Sequence, residues 1–196
     1  MSEASIRSTR RALGRLVVTL SLLAVLLPGV AVPRAQEAPR IPDVTCLDQN
    51  GKKLRFHTDL VKGKVVVINF VYTTCPILCT RIGESTARLQ KALGDRVGRD
   101  VYLISVSTDP VRDTPEKLKA WATRLKAKDG WTLVTGEKAE IDRLLKVLIG
   151  DASGSKTHSP LLLIGNEAKN VWTESYSFEN PAKLIEQIDK VSGPTP

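Results

Sequence analysis

Two cysteines, Cys75 and Cys79, stand four positions apart in "TTCPILCT", directly after "KVVVINFVY", the most apolar run beyond residue 31. Pro76 follows the first of them, and proline is favoured at the first position of a helix. The pattern predicts a helix from Pro76 to Leu93, with Cys75 as its N-cap and Cys79 one turn later at the same end. Unpaired backbone N–H groups and the helix dipole favour negative charge there, so a thiol ionises more readily. A thiolate is both a nucleophile and a metal ligand. The pair therefore admits three readings: a disulfide switch, a metal site, or packing.

Spacing separates these readings without choosing one. Redox pairs of the thioredoxin type usually have two residues between the cysteines, and here there are three, so a disulfide needs some backbone adjustment. Two thiolates suit a soft ion such as Cu(I), above all if an imidazole supplies a third ligand. The chain has two histidines. His57 ends a predicted hairpin and reads as a partly exposed surface residue. His158 lies in the polar loop "DASGSKTHSP", which comes back beside the cysteines if the strand after it shares a sheet with them. The candidate metal set is therefore Cys75, Cys79 and His158, the alternative for His158 being a hydrogen-bonding loop residue. Cys46 reads as a small buried side chain, with pairing to Cys75 or Cys79 left open. Two Cys and one His do not close a tetrahedral zinc site. A peroxidase of the peroxiredoxin kind is disfavoured because Tyr72 stands where such an enzyme has Thr.

The elements that must hold these residues follow from hydrophobic periodicity. "VTCL", the turn "DQNG" and "KKLRF" form a predicted N-terminal hairpin. "KVVVINFVY" and "VYLISVS" are continuous β-branched runs, as in strands buried on both faces. The segment Pro76–Leu93 carries Ile77, Leu78, Ile82, Leu89 and Leu93 at helical spacing. "TDPVRDTP" leads into a helix with Thr114 as N-cap and Pro115 at its first position, and Leu118, Trp121 and Leu125 on its apolar face. Asp109 and Asp113 are read as turn and helix-entry residues. "WTLVTG" is a short strand, "EKAEIDRLLKVLIG" a helix, "LLLIG" and "VWTE" two strands, and Asn180 with Pro181 starts a last helix. Trp121, Trp131 and Trp172 are read as packing residues. The order ββ-βαβαβα-ββα predicts an α/β sheet with helices on both faces.

Length and charge bound the rest. The 196 residues suit one domain. "MSEASIRSTRRALGR" is basic and the apolar stretch from Leu16 to Leu27 follows, so residues 1–31 read as a signal peptide or an N-terminal membrane anchor. Residues 32–42, rich in Pro, form a linker; residues 43–191 are the domain and 192–196 a tail. The formal charge of +8 falls to about +5 once the four arginines and one glutamate of residues 1–31 are set aside. The remaining excess is dispersed in short runs such as "KGK", which excludes a nucleic-acid stripe. Export and an odd cysteine count point to a reactive thiol or a metal.

The chain resembles the Sco/SenC family of copper-binding, thioredoxin-like proteins that assist cytochrome c oxidase assembly. The likeness spans roughly residues 41–190 and rests on "GKVVVINFVYTTCPILC", "LISVSTDPVRDTPEKLKAWA", "GWTLVTG" and "THSPLLLIGN". It implies a thioredoxin-like central sheet flanked by helices, with the hairpin as an N-terminal extension. It implies copper, as Cu(I) or Cu(II), held by Cys75, Cys79 and His158. It implies delivery to the copper-bearing subunit of cytochrome c oxidase, with another copper chaperone as a candidate donor, on the periplasmic side of a bacterial inner membrane. The family often has proline after the second cysteine, where this chain has Thr80. The competing use of the same dithiol is a thiol–disulfide oxidoreductase that reduces partner cysteines.

Overall fold

The computed structural model describes residues 40–150 and 159–193. The chain divides into two compact units, Met1–Ala35 and Gln36–Pro196, and the described residues belong to the second. The predicted leader, residues 1–31, lies outside the described residues. Among those residues no helix is long and apolar enough to cross a membrane.

The two runs read as buried strands are β3 (Val65–Val71) and β4 (Val101–Ser107), and they pair in parallel with Val65 beside Val101 and Val71 beside Ser107. Their apolar residues face both ways, which requires a cover on each side of the sheet. β5 (Trp131–Thr135) continues the parallel pairing outside β4, while β6 (Leu161–Asn166) and β7 (Val171–Tyr176) add antiparallel on the β3 side. β1 (Thr45–Asp48) and β2 (Lys53–Arg55) pair antiparallel, and β1 pairs in turn with β5. These two strands thus form the far edge of one seven-stranded mixed sheet, ordered β2-β1-β5-β4-β3-β6-β7. Their turn is closed by Asp48, whose Oδ1 accepts from Asn50 N at 2.8 Å and Lys52 N at 2.9 Å.

Alternation along each strand divides the core in two. Val67, Val71, Leu103, Leu133 and Ile164 face α1 (Leu78–Leu93), α2 (Pro115–Arg124) and α4 (Pro181–Ser192). Val66, Ile68, Val106, Val134 and Leu163 face α3 (Lys138–Ile149) and a π-helical turn, Phe56–Val61. That turn is not anticipated by the sequence pattern; it carries His57, whose Nε2 lies 3.2 Å from Glu167 Oε1.

The helix caps follow their side chains. Thr114 Oγ1 accepts from Lys117 N at 3.4 Å and Asn180 Oδ1 from Ala182 N at 2.9 Å, each with proline at the first helical position. Gly83 lets α1 lie close to α2, because a Cβ there would fall 2.5 Å from both Leu125 Cδ1 and Trp121 Cη2. The helix that carries Cys79 is thereby seated directly on the neighbouring apolar face.

Candidate metal centre

The cysteines stand at the carboxyl-terminal ends of the parallel strands, where β3 gives way to α1. The predicted helix start is corrected here. α1 begins at Leu78, not Pro76, because Ile77, at φ −130° and ψ −62°, is the non-helical cap residue. Cys75 therefore lies two residues outside the cap, in a turn closed by its own N–H donating to Tyr72 O at 3.2 Å. An isoleucine side chain cannot accept a hydrogen bond, so an N–H of the first helical turn needs another acceptor. Cys79 N finds it in Cys75 Sγ at 3.2 Å. The sulfur thus performs the capping role from outside the cap position. Ile77, expected on the apolar face, points out instead and is 67% exposed.

All three cysteines are free thiols. Cys75 is 9% exposed and Cys79 3%, so the pair sits just beneath the surface. Burial opposes ionisation of Cys75, but hydrogen bonds with Cys79 and Tyr72 outweigh it and hold its pKa below the ordinary 9.0. Cys79 goes the other way: burial pushes its thiol up to about 12, against a backbone hydrogen bond with Tyr72 and with the charges of Cys75 and Asp113 adding to the rise. Cys75 is therefore the more readily ionised of the two sulfurs. Tyr72 hydrogen-bonds Cys75, which raises the phenol's own pKa.

Sequence reasoning missed Asp113 as part of this centre. Its sequence pattern is that of a helix-entry residue, yet it is 1% exposed and its carboxylate reaches the cysteine loop. Oδ1 accepts from Thr73 N at 3.0 Å and Thr73 Oγ1 at 2.6 Å, and Oδ2 from Ser107 Oγ at 2.6 Å. The carboxylate ties the turn before Cys75 to the end of β4, assisted by Thr108 N donating to Val71 O at 2.9 Å. The only local signal was two polar segments, "TT" and "TDPVRDTP", each directly following a buried strand.

The structure separates Cys46 from this pair. It lies in β1 and packs with Phe56 and Val66 in the core layer opposite the one that holds Cys75 and Cys79, so the two cannot bond with it. Its thiol contacts Leu54 O at 3.7 Å and burial pushes its pKa up to about 12. His158 lies outside the described residues. Among the described residues no three His, Cys, Asp or Glu side chains come together as a metal set. What is present, two sulfurs four residues apart with one the more readily ionised, fits a soft ion that needs a further ligand.

The SCO1/SenC family profile matches residues 34–192. This chain belongs to the SCO1/SenC family. A Stutzerimonas stutzeri protein named for copper binding is 32% identical over 108 residues, 55% of this chain and 51% of that protein. The chain thus aligns with about half the length of that relative. Among solved structures, BsSco, described as a cytochrome c oxidase assembly protein with a disulfide switch, is 25% identical with a TM-score of 0.62, covering 79% of this chain and 95% of its own. Bradyrhizobium japonicum ScoI, solved with copper bound, gives a TM-score of 0.62 at 21% identity over 77% of this chain and 98% of its own. The mixed seven-stranded sheet with flanking helices is the thioredoxin-like architecture of these Sco structures.

Proposed function

We propose that this chain is a copper metallochaperone that holds the ion on Cys75 and Cys79, with His158 as third ligand, and delivers it during assembly of the copper-bearing subunit of cytochrome c oxidase. The observation that carries this reading is the pair of buried free thiols within one turn, with the Cys79 N–H aimed at Cys75 Sγ. Thiolates are the ligands that prefer Cu(I), and their binding releases the thiol protons. Three ligands leave the ion open to an incoming ligand of the acceptor, so transfer proceeds by stepwise exchange. Family membership, the copper-bound ScoI structure and the copper-binding name of the Stutzerimonas relative support the same cargo. The reading places the domain on the exported side of a bacterial inner membrane, with the N-terminal segment as leader or tether.

Anaerobic copper titration with spectroscopy tests it on wild type, Cys75→Ala, Cys79→Ala and His158→Ala. Wild type binds one ion per chain and each variant loses affinity. A wild type that takes up no copper overturns the assignment, and an unchanged His158→Ala removes the third ligand.

A second reading is favoured by the depressed pKa of Cys75 beside a raised one at Cys79. The Cys75 thiolate attacks a partner disulfide, forming a mixed disulfide and releasing one partner thiolate. Cys79, giving up its proton, then attacks Cys75 Sγ; a Cys75–Cys79 disulfide forms and the partner leaves with both sulfurs reduced. This activity requires both cysteines and not His158, which separates it from copper binding. The disulfide switch for which BsSco is described supports a redox use of the pair.

A further inference from the structure

Large apolar side chains exposed at one place on a small domain mark a contact surface. Three of the exposed apolar side chains lie on loops at the cysteine end of the sheet. Ile77, between the two cysteines, is 67% exposed; Val111, in the loop after β4, is 72% exposed; and Phe178, in the loop after β7, is 42% exposed. Hydrogen bonds fasten the first two loops to each other and the third to α1. Asp113, two residues after Val111, holds Thr73 beside the cysteines. Ser85 Oγ of α1 donates to Ser177 O, next to Phe178. The guanidinium of Arg81, one turn after Ile77, stacks over the Phe178 ring at 5.1 Å.

The charges at this rim say what would cover it. Asp109 is neutralised by Arg112, Glu179 by Lys183, and Asp113 is buried on its hydrogen bonds. Arg81 makes no ion pair among the described residues, and its guanidinium lies over the Phe178 ring. Among the described residues the rim therefore presents apolar side chains and the guanidinium of Arg81, held on an aromatic ring and not in an ion pair. A guanidinium already oriented on an aromatic ring loses little freedom when a carboxylate joins it.

We propose that Ile77, Val111 and Phe178, with Arg81, form the docking face for a protein partner that presents an apolar side chain beside a carboxylate. The inference rests on the copper-delivery reading for the identity of that partner, the copper-bearing subunit of cytochrome c oxidase. Docking there sets the acceptor's ligands over Cys75 and Cys79. The apolar contacts supply affinity, and the Arg81–carboxylate pair supplies orientation and salt dependence.

The test measures binding of the metal-free chain to the soluble copper-bearing domain of the oxidase subunit from the same organism, by calorimetry. Val111→Ser, Phe178→Ser and Arg81→Glu each weaken binding by about tenfold or more. Added salt weakens wild type more than Arg81→Glu. Lys91→Glu, a charge reversal near the far end of α1, leaves binding unchanged, and a carboxylate-to-lysine change on the domain restores Arg81→Glu. Melting curves confirm that the variants are folded. Wild-type affinity in all three variants, an equal loss in Lys91→Glu, or no binding by the wild type each overturns the docking face. Copper titration of the same preparations scores the metal reading separately: variants that bind copper normally but dock poorly support the face, and normal copper binding with unaffected docking sinks the face alone.

Discussion

The cysteine loop and the corner under the β1–β2 strands are built from the same parts. Each places a buried cysteine near a threonine whose N–H and hydroxyl are both held by one aspartate. At the corner, Asp43 accepts from Thr58 N at 3.0 Å and Thr58 Oγ1 at 2.8 Å, with Arg55 Nε at 3.2 Å, close to Cys46 in the sheet. At the loop, Asp113 does the same for Thr73 near Cys75 and Cys79. The outcomes differ because the surroundings differ. Cys46 sits mid-strand, paired with Leu54 of β2, and burial raises its pKa to about 12. Cys75 sits just outside a helix start, where the free N–H of Cys79 turns toward its sulfur. A thiol becomes chemically useful here through an unclaimed backbone donor and a place at the rim, and burial alone suppresses it.

The largest difference to look for is in thiol reactivity. Alkylation of the metal-free, reduced chain, read by peptide mass spectrometry across a pH series, modifies Cys75 first. Its pKa is lowered in the folded chain, so its rate reaches half-maximum below the ordinary 9.0. Cys79 and Cys46, each pushed up to about 12, stay protonated over the same range and react more slowly by about a hundredfold or more at neutral pH. Equal labelling of Cys46 and Cys75 would erase the contrast between the two regions.

Much of the scaffold was legible because its signals are local. The β-branched runs Val65–Val71 and Val101–Ser107, the Thr114–Pro115 and Asn180–Pro181 helix starts, and the apolar faces of α2, α3 and α4 each show themselves within a dozen residues. The errors fall where a local rule meets a distant partner. Pro76 fits a first helical position equally well by sequence, but the torsions of Ile77 put the start two residues later. Asp113 obeys a helix-entry pattern, and only the register of β3 on β4 brings it to Thr73, 40 positions away. Ile77 has the spacing of a core residue and stands outside the helix that would have buried it. Cys75 and Cys79 stand out in the sequence by their spacing and the proline between them; the opposite pKa shifts of the two depend on burial and on the hydrogen bonds each makes in the fold.

The second contrast concerns the two aspartates. Asp113→Ala leaves three donors without an acceptor, the Ser107 hydroxyl buried and the two of Thr73 half-buried, which costs about 1–3 kcal/mol. It also frees the turn before Cys75, so copper affinity falls along with thermal stability. Asp113→Asn retains part of the acceptor capacity and loses less of both. Asp43→Ala opens donors that water can satisfy, so its melting temperature stays closer to wild type and its copper affinity is unchanged. Thermal melts paired with copper titration check this; a larger loss in Asp43→Ala than in Asp113→Ala would invert the assignment.

The smallest effect is confined to acid. Hydrogen bonding by Thr58 N, opposed by desolvation and joined by the Thr58 hydroxyl and Arg55, lowers the pKa of Asp43 from 3.8 to about 2. A carboxylate whose pKa falls on folding stabilises the folded chain above its unfolded value, and that contribution disappears as the pH drops through the folded value. Asp43 therefore contributes fully above about pH 4, and the contribution is lost between 3.8 and about 2. Asp43→Asn removes the titration, so the difference in stability between wild type and variant shrinks across that window and is constant above it. Denaturant midpoints measured at closely spaced acid pH values resolve the change. A difference that instead grew on acidification would mean that the carboxylate binds its proton more tightly in the folded chain, and that Thr58 is held by something other than the charged Asp43.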